Sequence, residues 1–179
     1  MKTIAILFVG LFLTTTAPKL YDFGSQSLHE GWVVVNDGVM GGRSSGKLNF
    51  SEESMLFSGK LSFENNGGFT RIRHIEEQDL SQFSELVLRV KGDGRTYGVM
   101  LEPNLAYYQP HYRSNFNAPA GEWSEIVLPL RDFSQRVMGK VNSQTISDEE
   151  LKGVKSMGII LTNKPAGDFQ LEIDRITFR

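Results

Sequence analysis

Cysteine is absent from this chain. Structural disulfides, thiolate zinc sites, a cysteine nucleophile and lipid attachment through an N-terminal cysteine are therefore excluded, and the redox compartment is left open. Charge of one sign is equally scarce: 19 lysines and arginines face 21 acidic residues, for a formal net charge of -2, and like charges never run together in a long block. The basic footprint of a nucleic-acid-binding protein is missing. Long hydrophobic runs are missing too. The apolar stretch from Ile4 to Leu13 would cross only about half of a bilayer core as a helix, so no permanent membrane span is expected.

That stretch follows Lys2 and precedes Thr14, Thr15, Thr16 and Ala17, small or polar residues ahead of Pro18. The pattern of a basic residue, a short apolar core and small residues predicts a signal peptide over residues 1–17. It implies a periplasmic or secreted protein whose single domain runs over residues 18–179. The alternative is that residues 4–13 form a buried first strand of a cytoplasmic protein.

What is present is glycine and phenylalanine, 18 and 12 of them, in a chain of 179 residues with 40% hydrophobic and 22% charged side chains. A globular chain of this length buries enough surface to fold without metal or disulfide. Short alternating runs are punctuated by glycine, asparagine, proline and aspartate, the pattern of half-buried strands. The predicted strands are 20–23, 32–35, 47–50, 55–63, 69–75, 85–91, 96–101, 112–117, 124–129, 156–161 and 169–178. In Leu86, Leu88 and Val90 the even positions face a core, and Arg89 and Lys91 alternate toward solvent. A helical signal competes at one place, where Ser147 and Glu150 form a capping box ahead of Leu151. The expected fold is all-β, a two-sheet jelly-roll sandwich with at most one or two short helices.

The densest local pattern is WVVVNDGVMGGRSSG, residues 32–46. A β-rich run ends in Asn36-Asp37-Gly38 and then in Gly41-Gly42, residues that close turns through their own side chains or through positive φ. Asn66, Gly67 and Gly68 in FENNGGF carry the asparagine-glycine pair of a tight hairpin. Together with YRSNFNAPAGEWSEIVLPLRDF and GDFQLEIDRITF, these segments resemble the complex I intermediate-associated protein 30 family over about Tyr21 to Arg179. The resemblance implies a galactose-binding-domain-like jelly roll, shared with many carbohydrate-binding modules. It also implies the role of mitochondrial family members, assembly chaperones of respiratory complex I with no known reaction.

Three patterns bear on chemistry. Gly42-Arg43-Ser44-Ser45-Gly46 fits the nucleophile-elbow pattern G-x-S-x-G, but an alternating strand follows where a helix is required. His74, Glu76, Glu77 and Asp79 form a charged strand exit that reads as a solvated turn rather than a metal site, and His29, His74 and His111 are dispersed. Glu64, Glu102 and Glu172 are carboxylates on predicted strands without evidence of pairing. No catalytic residue, metal or cofactor is assigned. Recognition is the better reading, through Tyr97, Tyr107, Tyr108, His111, Tyr112 and Arg113, extended by Arg71 and Arg73 and by the loop carrying Asp37, Met40 and Arg43. Alternate tyrosines of that set are equally suited to a core. Trp32, Phe63, Trp123, Phe133 and Phe178 are expected as core or turn anchors. The sequence thus points to a protein-binding module, with an exported carbohydrate-binding module as the alternative and a hydrolase as the third choice.

Overall fold

A computed structural model describes residues 17–24 and 30–179. The apolar stretch at residues 4–13 and His29 lie outside the described residues. Two antiparallel sheets face each other. The first contains β1 (Lys19–Asp22), β3 (Ser45–Phe50), β4 (Met55–Leu61), β6 (Glu85–Lys91), β9 (Trp123–Pro129) and β13 (Gly167–Phe178), in the order β3-β4-β13-β6-β9. β1 continues the β4 side of β13, pairing Asp22 with Arg175 and Lys19 with Phe178 after β4 ends opposite Ile173. The second sheet has seven strands in the order β11-β10-β8-β7-β12-β5-β2: β2 (Trp32–Asn36), β5 (Thr70–Gln78), β7 (Thr96–Glu102), β8 (His111–Asn117), β10 (Ser134–Val137), β11 (Lys140–Thr145) and β12 (Val154–Leu161).

Period-2 patterning decides which side chains enter the space between the sheets. From the first sheet come Met55, Phe57, Leu86, Leu88, Val90, Leu171 and Ile173, and from the second Ile72, Tyr97, Val99, Leu101, Tyr112, Met157 and Ile159, all in one buried cluster. Each large apolar side chain buried this way contributes about 1.5–3 kcal/mol. Among the described residues one short α-helix occurs, α1 (Asp148–Lys152), and it starts at the capping box expected from the sequence: Ser147 Oγ accepts from Glu150 N at 3.3 Å and Glu150 Oε2 accepts from Ser147 N at 2.9 Å.

The structure departs from the sequence pattern at three places. The Asn66-Gly67 pair does not close a hairpin, because β4 and β5 on either side of it belong to different sheets. Residues 64–66 form a 3-10 turn with Asn65 and Asn66 at φ 55° and 58° that carries the chain from one sheet to the other. β10 and β11 were not foreseen, since Lys140–Thr145 is exposed along its whole length and a strand with no buried face has no hydrophobic alternation. Trp123 is not a core anchor. It sits on the outer side of the first sheet opposite Lys91, with its ring centre 5.0 Å from both Arg89 and Lys91. Its parity with Glu125 and Val127, also exposed, is the signal that places it there.

Candidate functional site

The loop after β2 is built around one buried carboxylate. Asp37 is fully inaccessible and begins a 3-10 turn, Asp37–Met40. Its Oδ1 accepts from Ser44 N at 2.9 Å, and its Oδ2 accepts from Ser44 Oγ at 2.6 Å, Gly68 N at 2.7 Å and Phe69 N at 3.3 Å. Burial alone would raise the carboxyl's pKa, but these donors from Ser44, Gly68 and Phe69 outweigh it and hold the group below its ordinary value. Asp37 therefore clasps two glycine-rich segments, 41–44 and 67–69, that are distant in sequence.

The glycines serve that clasp in different ways. Gly41 has φ 86° and open space around its missing Cβ, so its requirement is conformational. Gly42 and Gly67 are excluded from bearing side chains by contact, since a Cβ would stand 2.3 Å from Asp37 Cγ and 2.5 Å from Asp37 Oδ2. Gly41→Val is expected to destabilise by about 1–3 kcal/mol through backbone strain, and Gly42→Val by more because the carboxylate must move. Thermal melting of both variants checks the order, and equal or unchanged midpoints would contradict it. The clasp holds Val39 and Met40 outward, 79% and 65% exposed, while Arg43 pairs with Glu64 at 3.0 Å across the surface.

Ser44, the serine of the G-x-S-x-G pattern, is committed to this scaffold. Its Oγ donates to Asp37 Oδ2, lies 3.1 Å from Ser62 O and accepts from Ser62 N at 3.1 Å. No histidine partners it among the described residues.

The second part of the site is the outer face of the seven-stranded sheet. Register aligns Val33, Arg73, Gly158, Met100, Arg113 and Ser134 in one row across the strands. Neighbouring rows bring in Arg71, Ile160, Gly98 and Asn115 on one side and Ser156, Glu102, His111 and Arg136 on the other. Glu102 is buried and organises the centre, with Arg71 Nη1 at 3.1 Å from Oε1 and Arg73 Nε at 2.9 Å from Oε2. Ser156 Oγ also donates to Glu102 Oε2 at 3.1 Å. Arg113 is only 9% exposed, and its Nε donates to Asn115 Oδ1 at 2.7 Å. Burial and the neighbouring Arg136 lower its pKa to about 10. His111 is also pushed down, by burial first and by Arg71, Arg113 and Arg136 around it, against the opposing pull of Glu102.

The structure divides the predicted recognition residues. Tyr97 and Tyr112 are core residues, each 1% exposed, so their rings are turned away from the face. Tyr97 donates to Asp93 Oδ2 at 3.0 Å, and Tyr112 donates to Glu150, accepting from Gln135 Nε2 at 2.9 Å. Burial is the main cause of the raised pKa of both phenols. Arg71, Arg73, His111 and Arg113 meet on the outer face. Tyr107 and Tyr108 are exposed, edge to face at 5.5 Å, in the loop between β7 and β8. Arg136 was not foreseen because its strand was not, and Asn115 and Ser156 carry no signal beyond their parity with Arg113 and Glu102.

The three acidic candidates for paired-carboxylate chemistry do not converge: Glu64 lies on the surface with Arg43, Glu102 on the outer face of the second sheet, and Glu172 in the first sheet with Lys91 at 2.5 Å and Ser54. His74 is packed against Trp32, ring centres 5.2 Å apart, and its ring lies near Glu76, whose carboxylate also serves Tyr21 and Lys19.

A family model for complex I intermediate-associated protein 30 matches residues 21–173. This chain belongs to the complex I intermediate-associated protein 30 family. It is 30% identical over 185 residues to the mitochondrial complex I intermediate-associated protein 30 of Mus musculus, covering 89% of this chain and 55% of the mouse protein. To the probable mitochondrial counterpart in Caenorhabditis elegans it is 25% identical, over 98% of this chain and 58% of the worm protein. The chain thus spans a little over half the length of these curated relatives. Among solved structures, the family 11 carbohydrate-binding module from Clostridium thermocellum, in complex with a mixed-linked tetrasaccharide, superposes with TM-score 0.67 at 16% identity, over 92% of this chain and 96% of the module. An agarase superposes with TM-score 0.60 at 11% identity, over 90% of this chain and 24% of the agarase. At such identities the likeness is one of fold alone, the two-sheet jelly-roll sandwich. The periplasmic or secreted location expected from residues 4–13 is overturned by the curated relatives, which are named as mitochondrial proteins. A short apolar N-terminal stretch does not by itself distinguish export from other fates.

Proposed function

We propose that this protein is a non-catalytic binding domain of mitochondria that holds a polypeptide of a complex I intermediate, using the outer face of the seven-stranded sheet and the Asp37-clasped loop. The observation that carries the reading is the outward display of Val39 and Met40 on a loop whose buried carboxylate accepts from four donors. Exposed apolar side chains on a fixed backbone suit a protein partner, because little ordering entropy is lost on contact. The family's name, which ties its members to complex I intermediates, supports the identity of the partner.

Affinity capture from detergent-solubilised mitochondria tests this. Complex I subunits are expected to co-purify with the wild-type protein, and the double variant Val39→Asp/Met40→Asp, whose side chains are solvent-exposed in the free protein, is expected to recover at least tenfold less. Absence of complex I subunits from the wild-type capture, or equal recovery by the variant, would remove the reading.

The exposed Tyr107 and Tyr108 rings favour one second reading, a glycan-binding site at the end of the same face, since aromatic planes stack on sugars. Under it, glycan-array binding is expected and is lost in Tyr108→Ala; an array without signal excludes it.

A further inference from the structure

We infer that the guanidinium groups of Arg113 and Arg136 on the outer face of the seven-stranded sheet form a carboxylate-binding site that takes an acidic side chain of a polypeptide laid across the strands. The inference rests on the protein-binding reading and adds the chemistry of what is bound. Arg71, Arg73, Arg113 and Arg136 share this face with the buried carboxylate of Glu102, which is fully engaged by Arg71, Arg73 and Ser156. Among the described residues no carboxylate pairs with Arg113 or Arg136. Arg113 is about nine-tenths buried and donates from Nε to Asn115 Oδ1, and Arg136 Nε is buried without an acceptor. A buried guanidinium lacking an acceptor is costly. A planar carboxylate satisfies two of its N–H groups at once in a bidentate pair.

The floor of the face is shaped for this. Gly98 has no side chain where a Cβ would stand 2.6 Å from Arg113 Nε and 2.9 Å from Asn115 Oδ1. The Arg113 side chain therefore lies flat over β7, aimed by Asn115 at 2.7 Å. Apolar side chains flank the cluster on the same face: Val33 and Ile75 on β2 and β5, 47% and 53% exposed, and Val141 opposite Arg136 on β11, 62% exposed. Apolar flanks around a cationic centre fit a polypeptide with an acidic residue between apolar ones better than a free inorganic anion. With Tyr97 and Tyr112 turned inward, the centre of the face presents no tyrosine ring for a neutral sugar to stack on.

Isothermal titration with three probes, hexaglutamate, hexaglutamine and inorganic phosphate, tests the assignment. Hexaglutamate is expected to bind the wild-type protein at least tenfold more tightly than either other probe. Its affinity should fall at least tenfold in Arg136→Gln, at the rim of the cluster, and in Gly98→Ala, which displaces Arg113 without changing charge. Arg89→Gln, which removes an equal charge from the other sheet, should leave it unchanged. Melting of each variant verifies folding. Phosphate binding as tight as hexaglutamate would overturn the polypeptide assignment in favour of an inorganic-anion site. Loss in Arg89→Gln equal to that in Arg136→Gln would overturn the site in favour of general charge attraction. No hexaglutamate binding would overturn it outright. Applying Arg136→Gln to the capture of complex I subunits separates the two levels: capture that survives this variant and fails in Val39→Asp/Met40→Asp refutes the carboxylate site and leaves the protein-binding reading standing.

Discussion

Asp37→Ala is expected to destabilise the fold by about 3–5 kcal/mol, the largest effect of any single surface-loop substitution in this protein. Three backbone N–H groups and the Ser44 hydroxyl lose their acceptor together, and each such buried bond is worth about 1 kcal/mol net, more where a donor is left without water. The two segments that the carboxylate joins belong to different parts of the chain, so the loss is not confined to the loop. Urea unfolding measures it directly, and a midpoint shifted by less than about 1 kcal/mol equivalent would show that solvent replaces the clasp. The pH dependence has a definite sign. The folded carboxyl titrates below its ordinary value, so its contribution is complete above the unfolded value of about 3.9 and is lost as the pH falls toward the folded one. Asp37→Asn should accordingly lose less stability than the wild type does on acidification from neutral pH into that range.

Glu102→Ala is the second large effect, expected at about 3–5 kcal/mol, because it strands two mostly buried guanidinium groups without a counter-charge. The cost belongs to the unpaired arginines rather than to the ion pairs. Replacing Glu102, Arg71 and Arg73 together by leucine or methionine should therefore recover much of the loss. Urea unfolding of the single and triple variants tests both statements. A triple variant no more stable than Glu102→Ala would indicate that the network is worth more than the desolvation it costs.

These two clusters differ in how far the sequence reveals them. Asp37 sits in a turn motif whose asparagine, aspartate and glycines announce a special backbone, so the loop was legible. Its partner segment at Gly67–Phe69 was legible as a turn, but not as the other half of a clasp, because contact across 31 residues leaves no local trace. On the sheet, parity placed Arg71 and Arg73 opposite Thr70 and Ile72 correctly, since the buried face imposes a strict alternation. Parity alone did not separate Tyr97 and Tyr112 from Tyr108. A tyrosine suits a core whenever its hydroxyl finds a buried partner, as Asp93 and Glu150 provide here. The β10–β11 hairpin escaped because an exposed edge carries no hydrophobic signal, and Arg136 escaped with it.

The most direct test of the account is site-specific photo-crosslinking within mitochondria, with the probe at Met40 on the clasped loop, at Val33 on the outer face of the seven-stranded sheet, or at Val127 on the opposite sheet. Adducts to a complex I polypeptide from positions 40 and 33, and none from 127, are the predicted result. Adducts from position 127 alone, or none from 40 and 33, would contradict it.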